Sequence, residues 1–118
     1  MKTVIIGLGA IGRMIVDRLA EGVPAEGGGD VRLAGVAVRP SRAAEVRAEL
    51  APEIAVHTSA EEIVAARPDM VVECAGQQAL RQYGEILLAA GLDLMVIATG
   101  ALADSGYRAR LLAAAEQG

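Results

Sequence analysis

Large aromatic rings are nearly absent from this chain: among 118 residues there are two Tyr and no Phe or Trp. Its core must be filled by Val, Ile, Leu, Met and Ala, which suits buried parallel strands covered by Ala-rich helices. Cysteine is as scarce, and the single Cys74 excludes a disulfide within the chain. One His and one Cys, far apart in sequence, give no cluster with metal-ligand spacing. Excess positive charge is missing too. Eleven Lys and Arg against 15 Asp and Glu leave a formal net charge of −4, which argues against a general nucleic-acid binder. No apolar run approaches the roughly 20 residues that span a bilayer. The opening Met1-Lys2-Thr3-Val4-Ile5-Ile6 runs straight into a glycine turn, with no room for a secretion signal. A cytoplasmic domain is expected, with neither membrane nor nucleic acid among its partners.

Hydrophobic residues make up 53% of the chain and fall in short runs separated by helical patterns. Val4-Ile5-Ile6 reads as a buried strand, followed by Ile11, Ile15 and Leu19 at helical spacing. Gly22 to Asp30, with Pro24 and three consecutive glycines, reads as a surface loop. Val31 to Val38 is the second strand, and Ser41 is the expected N-cap of a helix carrying Ala43, Val46 and Leu50 inward. Ile54-Ala55-Val56 forms a third strand, and Ser59 with Glu62 has capping-box spacing for a helix ending near Arg67-Pro68. Met70-Val71-Val72 is the fourth strand, trailed by the stripe Leu80, Tyr83, Leu87 and Ala90. Leu94 to Ile97 is the fifth, and Tyr107, Leu111 and Ala114 mark a last helix.

Strands alternating with helices imply an α/β fold: a Rossmann-type doubly wound parallel sheet in the order 3-2-1-4-5, with residues 1–118 as one domain. The chain reaches Gly118 just past a helix, where a full sheet would add a sixth strand beside the fifth. That strand and a second domain are expected to lie outside this chain. The exposed edge of the fifth strand is then expected to pair or dimerise.

Gly7-Leu8-Gly9-Ala10-Ile11-Gly12 matches G-x-G-x-x-G. The pattern alone is weak, but here it leaves a strand and enters a helix, the context that gives it meaning. Gly7 permits the tight turn, Gly9 lets a diphosphate approach the backbone, and Gly12 lets helix and strand pack closely. The unpaired N–H groups at the helix start favour an anion. A plain tight turn without ligand is the alternative.

An NAD-specific site carries an Asp or Glu at the end of the second strand, to bond the ribose hydroxyls. This chain has Arg39 there, with Ser41 and Arg42 following. These three form a candidate pocket for a 2′-phosphate, since Arg pairs with phosphate and stacks on adenine. The alternative is a pair of solvated arginines at a helix start. The reading favours NADP over NAD.

The far half of the cleft is formed by Glu73-Cys74-Ala75-Gly76 and Thr99-Gly100-Ala101-Leu102, two small-residue turns that let a nicotinamide ribose come close. Cys74 reads as a wall residue, because no base stands beside it. His57 reads as a surface-loop residue, and Gln77 and Gln78 as the start of a helix. Glu73 and Asp104 show no partner that would make either an acid catalyst. No catalytic residue is assigned.

Taken together, Ile5 to Gly12, Pro68 to Gly76 and Ala98 to Asp104 resemble the L-aspartate dehydrogenase family over the amino-terminal, cofactor-binding half of its members. The resemblance implies oxidation of L-aspartate to iminoaspartate with hydride transfer to NAD or NADP, in a homo-oligomer. It also implies that the catalytic His and the substrate pocket belong to a second domain, and His57 does not match that His. Gly7, Gly9, Ala10, Ile11 and Gly12 match the diphosphate turn. Cys74, Ala75 and Gly76 match the turn beside the nicotinamide ribose, and Thr99, Gly100 and Ala101 its opposite wall. Homoserine dehydrogenase or another amino-acid dehydrogenase shares this plan. A stand-alone nucleotide sensor without catalysis is a reading from a different class.

Overall fold

The computed structural model describes residues 1–9, 12–14, 16–17, 32–75, 77–96 and 105–118. Five parallel strands form one sheet: β1 (Lys2–Ile6), β2 (Arg32–Ala37), β3 (Ala55–His57), β4 (Met70–Glu73) and β5 (Asp93–Val96). Their order is β3-β2-β1-β4-β5, as the alternating pattern predicts. A helical turn of the 3-10 type at Pro40–Arg42 leads into α1 (Ala43–Glu49), and α2 (Ala60–Ala66), α3 (Gln77–Ala89) and α4 (Ser105–Gln117) follow. Residues 12–14 and 16–17 are helical as well.

β1 runs through the middle of the sheet, so both its faces are covered. Val4 and Ile6 meet Ala37, Val71, Ile63, Tyr83 and Leu87 on one face. Ile5 meets Val36, Val72, Val16 and Val46 on the other. Each fully buried aliphatic side chain of this kind contributes about 1.5–3 kcal/mol. A bulge sets the register of β2. Thr3 pairs with Leu33 but Val4 with Gly35, leaving Ala34 as the extra residue. Leu33 and Val36, three apart, therefore both face the Ile5 side.

Helix boundaries follow local chemistry. Ser59 caps α2, its hydroxyl accepting from the Glu62 N–H at 3.2 Å. The Glu62 carboxylate reaches one residue beyond the cap, to the Thr58 N–H at 3.2 Å and the Thr58 hydroxyl at 3.1 Å. Gly91, with φ +85°, ends α3: the Leu92 N–H bonds the Leu87 carbonyl and the Gly91 N–H that of Leu88, a Schellman motif. Ala90 lies beyond the helix and is exposed rather than on its inward stripe. The expected cap at Ser41 is corrected. Pro40 starts a tight turn before α1, which places Ser41 inside that turn. The N-cap is Arg42, with no side-chain bond.

β5 is covered unevenly. Leu94 and Val96 pack with Leu111 of α4 and Leu88 of α3. Met95, on the opposite face, is 52% exposed. Among the described residues β5 pairs only with β4. No described helix is long and apolar enough to cross a membrane.

Candidate functional site: a cleft at the ends of β1, β2 and β4

A cleft of about 680 Å³ opens where β1, β2 and β4 end. Backbone bonds lace these ends together: the Gly7 N–H donates to the Ala37 carbonyl at 2.8 Å, and those of Val38 and Cys74 donate to His57 and Ile6, each at 2.9 Å. The strand ends thus form a rigid floor, from which side chains and turns rise as walls.

The three glycines of the turn have different structural standing. Gly7 has φ +92°, and a Cβ there would lie 2.6 Å from the Cβ of Ala75. A Cβ on Gly12 would strike the carbonyl oxygen of Gly7. The fold itself therefore demands both. Gly9 lines the cleft, its φ is not in the left-handed region, and a Cβ on it would meet nothing within 4 Å. No packing among the described residues requires a glycine at that position. The Arg13 N–H donates to the Gly9 carbonyl at 2.9 Å. The first N–H groups of any helix lack partners within it.

The β2 wall is polar. Arg39 and Arg42 line the cleft, while Ser41 is exposed and is not among the lining residues. Arg42 approaches Glu45 at 3.9 Å, a loose pair on the helix surface. The Arg39 guanidinium makes no ion pair or hydrogen bond among the described residues. Arg13, one residue past the glycine motif, is held by Glu49 of α1 at 2.9 Å, and that carboxylate raises its pKa further.

The β4 wall consists of Cys74 and Ala75. Glu73, fully buried, accepts the Ala75 N–H on Oε1 at 2.7 Å and so holds this turn in shape. The Cys74 thiol is half-buried, and burial foremost, then the charge of Glu73, pushes its pKa up. It stays protonated at neutral pH, as a wall residue rather than a nucleophile.

A fourth wall escaped the sequence reading. Ala79, Gln82 and Tyr83 of α3 line the cleft at helical spacing i, i+3, i+4. Only Tyr83 stood on the predicted inward stripe. It belongs to the buried cluster that includes Ile6 and Ala37, and burial foremost raises the pKa of its phenol.

His57 is not on a surface loop, which corrects that expectation. β3 runs one residue beyond Val56, and the His57 ring lies over Gly35, where a Cβ would sit 2.9 Å from Nε2. Burial foremost pushes its pKa down. It lines a separate groove of about 280 Å³ beside Lys2, Arg32 and Glu53, away from the glycine turn. Among the described residues no three acidic, His or Cys side chains gather to hold a metal. Ala10, Ile11, Gly76, Thr99, Gly100, Ala101 and Asp104 lie outside the described residues.

Parallel strands in this order, a glycine turn into a helix and an open cradle over Gly9 define a Rossmann-type dinucleotide-binding domain. The chain belongs to the family described as homoserine dehydrogenase, NAD binding domain, whose model matches residues 7–118. It is 42% identical over 113 residues to L-aspartate dehydrogenase 2 of Bordetella pertussis, covering 96% of this chain and 40% of that protein. It is 33% identical over 116 residues to L-aspartate dehydrogenase of Serratia proteamaculans, covering 98% of this chain and again 40% of the relative. The chain thus corresponds to the NAD-binding domain of its relatives and spans well under half their length. Two solved structures share the fold. Aspartate dehydrogenase of Thermotoga maritima superposes with a TM-score of 0.60 at 23% identity, over 98% of this chain and 41% of that one. A hyperthermophilic archaeal homoserine dehydrogenase in complex with NADPH gives 0.73 at 17% identity, over 98% and 40%.

Proposed function

We propose that this chain is the cofactor half of an NAD(P)-dependent dehydrogenase acting on L-aspartate. The observation that carries the binding role is Gly9, a glycine that packing among the described residues does not need, facing an open cleft. The diphosphate is held at Gly7, Gly9, Ala10, Ile11 and Gly12. Cys74, Ala75 and Gly76 take one side of the nicotinamide ribose, and Thr99, Gly100 and Ala101 the other. Arg39, Ser41 and Arg42 take the 2′-phosphate, which makes NADP the preferred cofactor. Bound nicotinamide supplies a hydride acceptor for the amino-acid Cα, and the residues of this chain hold and orient it. The protonated Cys74 and the engaged Glu73 leave proton transfer and substrate recognition to a second domain, in a cytoplasmic homo-oligomer.

Titration with NADPH and NADH, followed by nicotinamide fluorescence, tests the reading. Saturable binding is expected, tighter for NADPH and abolished by Gly9→Trp in a protein that still melts cooperatively. No binding of either dinucleotide would overturn it. Homoserine is the second candidate substrate, favoured by the family description. Turnover by the full-length enzyme with L-aspartate against L-homoserine decides between them.

A further inference from the structure

Resting on the proposed dinucleotide site, we infer that Gln82 of α3 reads the N6/N7 edge of the adenine base. The placement comes from its neighbour. Tyr83 shares one buried cluster with Ile6 and Ala37, the last residues of β1 and β2, and this stretch of α3 lines the cleft together with Ala37, Val38 and Pro40 of the β2 side. In a dinucleotide seated on the glycine turn, that side takes the adenosine half. Gln82 and Arg39 line the same cleft from α3 and from the end of β2. Gln82 is exposed, and its amide has no hydrogen-bond partner among the described residues.

The chemistry suits the base. A primary amide carries an acceptor and a donor side by side. Adenine offers the matching pair, the N6 amine as donor and N7 as acceptor, which a Gln side chain meets with two bonds. Arg39, with no ion pair or hydrogen bond among the described residues, borders the same side of the cleft for the 2′-phosphate while Gln82 meets the edge of the base. Adenine recognition then falls to a side chain outside the glycine motif and outside the basic segment after β2.

The test compares NADPH with reduced nicotinamide hypoxanthine dinucleotide phosphate, in which an oxo group replaces the 6-amine. At the same edge hypoxanthine presents two acceptors, so the Gln82 carbonyl loses its donor. Wild-type chain is expected to bind NADPH roughly tenfold more tightly than the analogue. Gln82→Ala, on an exposed helical position that tolerates alanine, should weaken NADPH more than the analogue, which keeps only the bond to N7, and bring the ratio to about one. Equal binding of the two dinucleotides by wild type, or a preference that survives Gln82→Ala, overturns the inference and leaves the cofactor site standing. Failure of wild type to bind either one removes both readings together.

Discussion

The glycine turn after β1 and the basic segment after β2 border the same cleft, but different forces shape them. The turn is constrained from within. Gly7 is locked by its positive φ and by Ala75, and Gly12 by the Gly7 carbonyl, so side chains are excluded there whether or not a ligand binds. The β2 segment is constrained hardly at all. Pro40 sets the backbone of a short turn, while Arg39 and Ser41 stand exposed and Arg42 half-exposed, held among the described residues by one loose ion pair. In the proposed site, affinity for a diphosphate would belong to the first region, because it rests on backbone that cannot vary. Choice among dinucleotides would belong to the second, where side chains can change at little structural cost. Gly9 lies in the first region but behaves like the second: its φ is not left-handed, and a Cβ on it would meet nothing among the described residues.

That contrast can be broken experimentally, and the largest effect is expected at Gly7. Gly7→Ala combines a left-handed φ with a collision at Ala75, so unfolding in urea should show a loss of about 3 kcal/mol. Gly9→Ala should cost less than about 1 kcal/mol, because its φ is not left-handed and the new Cβ meets nothing among the described residues, while weakening NADPH binding. Equal destabilisation at the two positions would erase the distinction between a fold glycine and a ligand glycine. Next in size is Arg39→Ala. It is expected to leave stability within about 0.5 kcal/mol and to weaken NADPH roughly tenfold, about 1.4 kcal/mol, with little change for NADH. A parallel loss for both dinucleotides would assign Arg39 to the base or diphosphate rather than the 2′-phosphate.

Ser59→Ala, remote from the cleft, calibrates the scale. Removal of its cap to the Glu62 N–H should cost about 1 kcal/mol in thermal or urea unfolding, with dinucleotide affinity unchanged. The smallest expected effect concerns His57. Its folded pKa lies below the ordinary 6.5, chiefly because of burial. As pH falls through 6.5, the unfolded chain takes up the proton before the folded one does, so stability declines. Above 6.5 both states are neutral and the contribution is constant. Unfolding measured at pH 7.5 and 5.5 should show a decline that His57→Gln reduces, and an identical decline in the variant would exclude this histidine as its source.

Much of the architecture was legible because parallel strands in a covered sheet must be apolar on both faces. Val4-Ile5-Ile6 and Met70-Val71-Val72 announce themselves for that reason. Boundaries were less secure. β3 extends to His57, which no apolar pattern would include, because Gly35 on the neighbouring strand makes room for the ring. Ser41 has the chemistry of a cap, yet Pro40 begins a turn that carries it past the capping position. Within the site, the glycine turn and Arg39 were readable from their order in the chain. Ala79 and Gln82 were not, since a helix face declares which side is apolar but not which cleft its edge overhangs.

The sequence by itself determined the class of fold, the strand order and the turn after β1. Each follows from short-range rules: apolar runs, helical spacing, and glycines at fixed offsets between strand and helix. Only the tertiary structure separated the glycines that packing requires from the one it does not, buried His57 over Gly35, and turned the carboxylate of Glu73 onto the Ala75 N–H. It also brought α3 over the end of β2. These are contacts between segments distant in the chain, and their outcome depends on which atoms share a volume once the sheet has closed around β1.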